Sequence, residues 1–249
     1  KIIKAVIFDL SGTLVDFGSL ATIDAMKSIF KSRGIIITNE IVKKDMGIKK
    51  IKHIKKILKN PIINTKWIKK YKKPISVSEF SILCSEFDNE LKINVKKRLN
   101  LIPNVVKIIK ILKKNRIKTG ITTGYPRKIT KIILNYLRKK NISFDSCVCD
   151  DEVKNSRPNP DMCIKNLKNL KIKNSKHCIK VDDSISGILE GKSAKMLTVG
   201  LISTGIQVGL SKISYKKKSK KNKKIMKKLI KYNFKKIGTN YVVENHFEF

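Results

Sequence analysis

Short apolar runs alternate with segments of helical periodicity along most of the chain. The first run, Ala5–Phe8, is wholly apolar and predicts a buried strand of a parallel sheet. From residue 103 onward the predicted helices cover residues 104–114, 126–140, 160–170 and 186–194, and the strands that follow them cover residues 117–122, 144–149, 178–181 and Leu197–Leu201. A last run, Tyr241–Val243, predicts a strand at the sheet edge. This alternation is typical of an α/β fold with a doubly wound parallel sheet.

Residues 17–96 have a different pattern. Helical periodicity covers residues 20–33, 39–45, 48–58, 64–71 and 76–94, without an apolar run of strand type. A helical block inserted directly after a first strand predicts a small separate domain. We therefore predict a Rossmann-like core made of residues 1–16 and 97–249, and an all-helical cap domain made of residues 17–96.

Composition adds a strong positive charge to this picture. The chain of 249 residues carries 57 Lys and Arg against 19 Asp and Glu, a formal net charge of +38. Only six of the basic residues are Arg, the side chain that forks onto phosphates and bases in nucleic-acid sites. We interpret the charge mainly as compositional bias and expect no nucleic-acid partner, although a degenerate, non-enzymatic nucleic-acid-binding protein remains an alternative. Residues 212–236, with 13 Lys and no acid, predict a solvated, partly helical stretch outside the active site.

The cysteines and the apolar runs indicate the cellular compartment of the protein. Five cysteines form no CxxC pair and leave an odd number, which indicates reduced thiols and favours a cytoplasmic protein. No apolar run is long enough to span a bilayer and no signal peptide is visible, so we expect no membrane partner.

The scarce acidic residues gather just after apolar runs. Asp9 follows the first predicted strand, Asp150 and Asp151 follow the third, and Asp182 and Asp183 follow the fourth. The carboxyl ends of parallel strands meet at one edge of a sheet, where open α/β folds place their ligand sites. In so cationic a chain, this placement indicates metal or phosphate chemistry.

A hydroxyl and a cation complete the pattern of a phosphoryl-transfer site. Thr123 is predicted to hydrogen-bond a phosphoryl oxygen, and Arg157 to neutralise its charge. Taken singly, Thr123 is better interpreted as a strand-end cap and Arg157 as a solvated loop charge, but together these interpretations require a coincidence. Asp9, the Ser11 carbonyl and Asp183 predict a hard oxygen site for Mg²⁺.

Asp9, Gly12 and Thr13, in the order Asp-x-x-Gly-Thr, resemble the first motif of the haloacid dehalogenase (HAD) superfamily, and later segments resemble its other three motifs. The resemblance extends to the phosphonoacetaldehyde hydrolase (phosphonatase) family over nearly the whole chain. It is carried by residues 9–19, 46–53, 122–125, 157–162 and 181–200. It implies a HAD-type sheet core with an inserted helical cap, a homodimer, Mg²⁺ as cofactor, and hydrolysis of the C–P bond of phosphonoacetaldehyde to acetaldehyde and phosphate.

The resemblance also implies roles for individual residues. The aspartate matching Asp9 is the nucleophile, the cap lysine matching Lys50 forms a Schiff base with the aldehyde, and the histidine matching His53 takes part in proton transfer. The implied substrate-binding and phosphate-binding residues are Met46, Thr123, Gly124, Tyr125 and Arg157.

The residue type at position 11 agrees with this chemistry. Most HAD phosphatases carry a second aspartate two residues after the nucleophile, which protonates a leaving oxygen, and Ser11 cannot serve as that acid. A phosphonate has a carbon leaving group, and an imine formed by Lys50 would accept its electrons. Another HAD phosphohydrolase remains the nearest enzymatic alternative. Gly187 is a departure, because many superfamily members carry a second acid there, four residues after Asp183.

The cap residues make two further expectations testable. Met46, Lys50 and His53 would share one helix face if a helix ran unbroken past Gly47. Three neighbouring lysines are expected to lower the pKa of Lys50 if they share its environment, namely Lys44, Lys49 and Lys52.

Overall fold

A single parallel sheet organises the computed structural model, which describes residues 2–245. Its six strands are β1 (Ala5–Phe8), β2 (Lys118–Thr123), β3 (Ser146–Cys149), β4 (Cys178–Asp182), β5 (Leu197–Leu201) and β6 (Tyr241–Val243). Their spatial order is β3-β2-β1-β4-β5-β6, and every neighbouring pair is parallel. The predicted α/β fold class is confirmed, and β6 lies at the sheet edge as the sequence indicated.

Helices connect and flank these strands. They are α1 (Leu20–Lys31), α2 (Asn39–Lys44), α3 (Lys50–Leu58), α4 (Pro61–Tyr71), α5 (Val77–Lys97), α6 (Val105–Lys114), α7 (Arg127–Lys139), α8 (Asp161–Asn169), α9 (Ile185–Ser193), α10 (Gly205–Val208), α11 (Lys212–Lys217) and α12 (Lys220–Lys236). Most bounds lie within three residues of the predicted ones. The most consequential difference is α3, which begins at Lys50 rather than residue 48 because the chain turns at Gly47, with a φ of 93°.

Side chains at the helix starts explain why the cap helices begin where they do. Thr38 and Asn60 accept hydrogen bonds from the first-turn N–H groups of α2 and α4. Ser76 and Glu79 exchange reciprocal hydrogen bonds with each other's backbone N–H group, which forms a capping box at α5. Each such cap stabilises its helix by about 1 kcal/mol.

β1 lies inside the sheet and is buried on both faces. Val6 and Phe8 pack into the main core, whereas Ala5 and Ile7 pack on the opposite face against α8 residues. None of the four is more than 1% exposed. A strand buried in this way delivers the next residue, Asp9, into the protein interior.

The helices α1 to α5 cover residues 20–97, and no strand occurs in that part of the described chain. α1 packs along α5, and α5 also contacts α7 of the sheet region. The division into a core and a cap at residues 16 and 97 stays a prediction.

The lysine-rich segment forms α11 and α12, in agreement with a partly helical stretch. Ile230 and Phe234 of α12 are buried, and Phe234 packs against Gly200 of β5. Ile225 and Leu229 are exposed instead, so the apolar positions of this helix lie on two different faces.

All five cysteines are free thiols. Within residues 2–245, no helix is both long and apolar enough to cross a membrane.

Candidate active site

The strand ends converge as predicted, and a pocket opens over them. Asp9 follows β1, Thr123 ends β2, and Asp182 ends β4. The pocket is lined by Asp9, Ser11, Ser19, Thr22, Met46, Gly47, Lys50, Thr123, Gly124, Tyr125, Arg157, Ser184 and Ile206. Its volume is about 30 Å³. Most of the predicted site residues line it directly; His53 and Asp183 do not.

Arg157 is the centre of a buried ionic cluster. Its Nη1 lies 2.9 Å from Asp9 Oδ1, and its Nε donates to Glu190 Oε2 at 2.9 Å. Its Nη2 donates to the Thr122 hydroxyl at 2.9 Å and the Thr122 carbonyl at 3.1 Å, and lies 3.4 Å from Asp182. Every nitrogen of the guanidinium is therefore engaged, and Nη1 is aimed at Asp9.

Lys180 adds a second buried cation to this cluster. It is fully buried, with its Nζ 3.0 Å from Asp182 Oδ2 and 3.5 Å from Glu190 Oε2. Burial alone would lower the pKa of Lys180, but Asp182 and Glu190 raise it above its usual value.

Sequence reasoning missed Thr122, Lys180 and Glu190. A lysine among so many others carries no signal. Glu190 offered one, because it is a rare acid that directly follows the uncharged run 185–189 of α9. An unpaired acid in that position would be costly, so a buried cationic partner could have been inferred.

Asp183 lies beside this cluster without a cation of its own. Its carboxylate accepts hydrogen bonds from Thr13 Oγ1 at 2.8 Å and from the Ile206 N–H at 2.7 Å. Carboxylate oxygens of Asp9, Asp182 and Asp183 lie within 4.8 Å of one another. Burial and these two neighbouring carboxylates raise the pKa of Asp183 well above its usual range.

These contacts test whether a divalent cation fits the site. The cluster holds four buried carboxylates and two cations in salt-bridge contact with them, so two negative charges are left over. No Lys, Arg or His among the described residues forms a salt bridge with Asp183. One Mg²⁺ would balance the excess, and all the donors are hard oxygens. The residues present therefore fit the predicted metal.

The backbone around Asp183 also supports a metal site at this carboxylate. A Cβ at Gly12 or at Gly205 would overlap the Asp183 carboxylate, and both glycines have positive φ, at 96° and 80°. The Ser11 carbonyl, the third predicted ligand, accepts a hydrogen bond from Ser19 Oγ at 2.7 Å. A carbonyl has a second lone pair, so this bond does not prevent metal ligation.

The geometry also explains Gly187. A side chain there would overlap the Asp182 carboxylate, which fills the space next to the Gly187 Cα. Asp182 Oδ1 accepts from the N–H and the hydroxyl of Ser184 at 2.8 and 2.7 Å. In this chain the acid at 182 thus occupies the volume that an acid at 187 would use.

The predicted cap lysine enters the pocket from the other side. Lys50 is the first residue of α3, and its Nζ lies 5.6 Å from the centroid of the Tyr125 ring. Desolvation lowers the pKa of Lys50 to about 8, with Arg157 adding to the effect and Asp150 and Asp9 opposing it. The expectation that neighbouring lysines cause this shift is wrong: burial is the main cause.

Met46 does not share a helix face with Lys50 and His53, because the helices predicted over residues 39–45 and 48–58 are indeed separate. α2 ends at Lys44 and α3 begins at Lys50, so Met46 and Gly47 lie in the connection between them. Met46 still lines the pocket, because the turn at Gly47 folds the connection over the strand ends. Lys50 and His53 do share α3.

His53 is fully buried beneath this region. Its Nε2 lies 2.9 Å from the Val42 carbonyl, and its Nδ1 has no hydrogen-bond partner. Burial, and then Lys50, lower the pKa of His53 to about 4. A neutral ring that donates from Nε2 leaves Nδ1 as a free acceptor. Its role in proton transfer stays a prediction.

Tyr125 joins the helical region to the sheet. Its hydroxyl donates to Ser11 Oγ at 3.3 Å and lies 3.2 Å from Thr22 Oγ1. The Asp16 carboxylate lies 3.5 Å from the same Ser11 hydroxyl. A hydroxyl network therefore occupies the position where many HAD phosphatases carry a second aspartate.

The acidic residues after β3, Asp150 and Asp151, do not line the pocket. Asp151 accepts the N–H of Arg127 and so caps α7, while Asp150 does not line the pocket. The expectation that both carboxylates converge on the site is wrong, since only the electrostatic effect of Asp150 on Lys50 reaches it.

Comparisons with known proteins agree with this geometry. Residues 6–201 match the family model for haloacid dehalogenase-like hydrolases. The chain is 31% identical to a phosphonoacetaldehyde hydrolase of Bacillus cytotoxicus, over 97% of this chain and 92% of that protein. It is 35% identical to a bifunctional phosphonoacetaldehyde hydrolase/aminoethylphosphonate transaminase of Clostridioides difficile, over 99% of this chain but only 39% of that longer protein.

A solved structure of similar sequence has the same fold. The crystal structure of a phosphonoacetaldehyde hydrolase-like protein from Oleispira antarctica superposes with a TM-score of 0.95. The match is 30% identical in sequence and covers 98% of this chain and 89% of that one.

Proposed function

The chain belongs to the haloacid dehalogenase-like hydrolase family and, within it, to the phosphonoacetaldehyde hydrolases, and we propose from this membership that it hydrolyses phosphonoacetaldehyde to acetaldehyde and phosphate. The observation that carries the proposal is the pairing of Asp9 and Lys50 in one small pocket. A carboxylate from the sheet and a lysine of lowered pKa from α3 face the same space. A phosphate-ester hydrolase has no need of such a lysine.

The reaction begins at Lys50. Its neutral amine adds to the aldehyde carbon, and loss of water gives a protonated imine. An amine with a pKa of about 8 is partly neutral at pH 7, whereas an ordinary lysine is almost wholly charged.

Asp9 then attacks phosphorus. The electrons of the breaking C–P bond move to the imine nitrogen, so the carbon fragment leaves as an enamine on Lys50, and Asp9 carries the phosphoryl group. Water attacks the aspartyl phosphate and releases phosphate. The enamine takes a proton on carbon, and hydrolysis of the resulting imine releases acetaldehyde.

The other pocket residues bind and orient the phosphonate. Arg157, which holds Asp9 Oδ1, is placed to share its charge with the incoming phosphonate oxygens. Thr123 and Gly124, at the end of β2, line the same pocket. Mg²⁺ held by Asp9, Asp183 and the Ser11 carbonyl would supply positive charge against the same oxygens.

The test is to trap the imine. Borohydride added with phosphonoacetaldehyde should inactivate the protein irreversibly, and mass spectrometry should place the adduct on the peptide that contains Lys50. Lys50→Arg should abolish C–P cleavage, because a guanidinium stays protonated and cannot form the imine. Asp9→Ala should abolish turnover but keep the adduct, since imine formation precedes attack at phosphorus.

Lys52→Arg is the matched control, because Lys52 lies on the same helix but is exposed. It should leave both turnover and the adduct unchanged. A Lys50→Arg variant that still released acetaldehyde at near wild-type rate would end this mechanism. Turnover of simple phosphate esters without phosphonoacetaldehyde cleavage would favour another HAD phosphohydrolase instead.

A further inference from the structure

The outer face of α12 is a surface that the proposed reaction does not use. The chain contains no Asp or Glu between Glu190 and Glu244, and α12 alone carries nine lysines. None of its residues lines the pocket over the strand ends.

The inner face of α12 is fixed by packing. Phe234 is fully buried against Gly200, and Ile230 is 2% exposed. Lys227 pairs with Glu244. These contacts determine which side of the helix faces outward.

An apolar stripe follows the opposite side. Ile225, Leu229 and Tyr232 are 57%, 59% and 62% exposed, and their spacing of four and three residues places them on one face. Ile225 precedes Phe234 by nine residues, which at about 100° per residue is half a turn away from the buried side. These apolar side chains stay largely exposed to water, so they contribute little burial energy to the folded protein.

Lysines flank this stripe on one side. Lys221, Lys228 and Lys235 are exposed and spaced by seven residues, so they form a row beside it. Further round the helix, a groove of about 630 Å³ lies between α12 and β6. Its lining includes six lysines: Lys220, Lys223, Lys224, Lys227, Lys228 and Lys231.

We propose that the outer face of α12 binds the surface of a lipid bilayer that carries anionic phospholipids. Such a surface offers an apolar boundary for the stripe and negative headgroups for the lysines. A nucleic acid would pair with the lysines but would leave the apolar stripe exposed. In addition, no Arg follows Arg157 in the chain, so this surface lacks the side chain that makes bidentate contacts with phosphates. This proposal departs from the sequence expectation of no membrane partner, which rested on the absence of spanning runs.

The experiment is flotation of the full chain with vesicles of phosphatidylcholine alone or mixed with phosphatidylglycerol. The protein should float only with the mixed vesicles, and salt should weaken the binding. Ile225→Ser with Leu229→Ser should reduce binding by on the order of tenfold. Lys221→Gln, Lys228→Gln and Lys235→Gln together should reduce it by more than about tenfold.

Two control variants separate this face from the general charge of the chain. Ile62→Ser changes an apolar residue that is 60% exposed on α4. A second control changes three exposed lysines of and beside α7, namely Lys131→Gln, Lys139→Gln and Lys140→Gln. Both should bind almost as the wild type does. Circular dichroism and thermal unfolding of every variant would show that the fold is kept, without recourse to any activity.

Three outcomes would overturn the proposal. One is no binding to anionic vesicles. Another is equal loss in the α12 and α7 lysine variants, with no effect of the stripe, which would mean diffuse attraction by net charge. The third is tighter binding to duplex DNA than to the vesicles, unaffected by the stripe, which would identify a nucleic-acid surface.

Discussion

The sheet and the cap helices each bring a lysine to the site, and the two lysines have opposite properties. Lys180 of β4 contacts Asp182 and Glu190, and these carboxylates raise its pKa. Lys50 of α3 has no carboxylate within salt-bridge distance in the described part of the chain, and desolvation lowers its pKa to about 8. Burial thus acts on the same type of side chain in opposite ways: the charged form is favoured at Lys180, and the neutral amine is favoured at Lys50.

The difference lies in what the two regions must do. The sheet edge holds more carboxylates than its cations can neutralise, so its lysine and arginine serve as charge partners. The cap side presents Lys50 over the Tyr125 ring, an environment that attracts a cation only weakly. Burial with partners stabilises charge, and burial without them favours the neutral amine.

Removal of the metal should have the largest effect, and it should act on the sheet side alone. EDTA should abolish turnover and Mg²⁺ should restore it, because no Lys, Arg or His of residues 2–245 forms a salt bridge with Asp183 that could replace the ion. Borohydride trapping at Lys50 should continue in EDTA, since the imine forms on the cap side. Full turnover in chelator would contradict the assignment of Asp9 and Asp183 as metal ligands.

Replacing each lysine by methionine should separate the two roles. Lys50→Met should lower turnover by on the order of 10⁴-fold, with unfolding free energy unchanged or slightly raised. Lys180→Met leaves Asp182 and Glu190 without their lysine, so it should cost about 3–5 kcal/mol of stability. Urea unfolding together with a turnover assay measures both. Equal loss of stability in the two variants would remove the contrast.

The Asp182 and Gly187 pair tests how closely the sheet edge is packed. Gly187→Ala should destabilise by about 1–3 kcal/mol, because its Cβ overlaps the Asp182 carboxylate. The double variant Asp182→Gly with Gly187→Asp returns a carboxylate to the same volume and should be more stable than either single variant. Additive losses in a double-mutant cycle would refute this exchange.

The pH dependence should report Lys50. Below pH 8 the neutral fraction of this amine falls by about tenfold per pH unit, so the rate of imine formation should fall with it. The pKa of Lys50 in the folded protein lies below its unfolded value of 10.5, so the protonated amine opposes folding at low pH. This opposition ends once the pH rises above 10.5. Lys180, whose folded pKa is raised, stabilises fully below its unfolded pKa and loses this effect above it. The range from pH 6 to pH 8 runs from about two units below the pKa of Lys50 up to the pKa itself. A trapping rate that stays constant over this range would contradict the assignment of Lys50 as the imine-forming amine.

The smallest effect is expected from the lysines of α11 and α12. Replacing half of them by Gln should leave turnover at saturating substrate within a few-fold, because these helices lie outside the pocket. A loss as large as that of Asp9→Ala would show that the segment belongs to the site.

The parallel sheet, a helical block after the first strand and the acidic residues at strand ends could all be predicted from the sequence. Apolar periodicity is local, and a short apolar run that ends at an acid such as Asp9 is typical of a buried strand leading into a ligand site. The roles of Lys50 and His53 came only from resemblance, since no pattern separates one lysine from 51. The break at Gly47 was predicted, but the start of α3 was placed two residues too early, because the pattern along the chain does not show how far the turn extends.

Tertiary structure alone decided how the charges are paired. Thr122 and Glu190 contact Arg157, and Lys180 contacts Glu190, only when β2, β4 and α9 pack together. The cause of the Lys50 shift was likewise decided by folding: desolvation in the pocket, not its lysine neighbours, lowers the pKa. Electrostatic energies depend on distance and burial in three dimensions, and neither quantity is present in residue order.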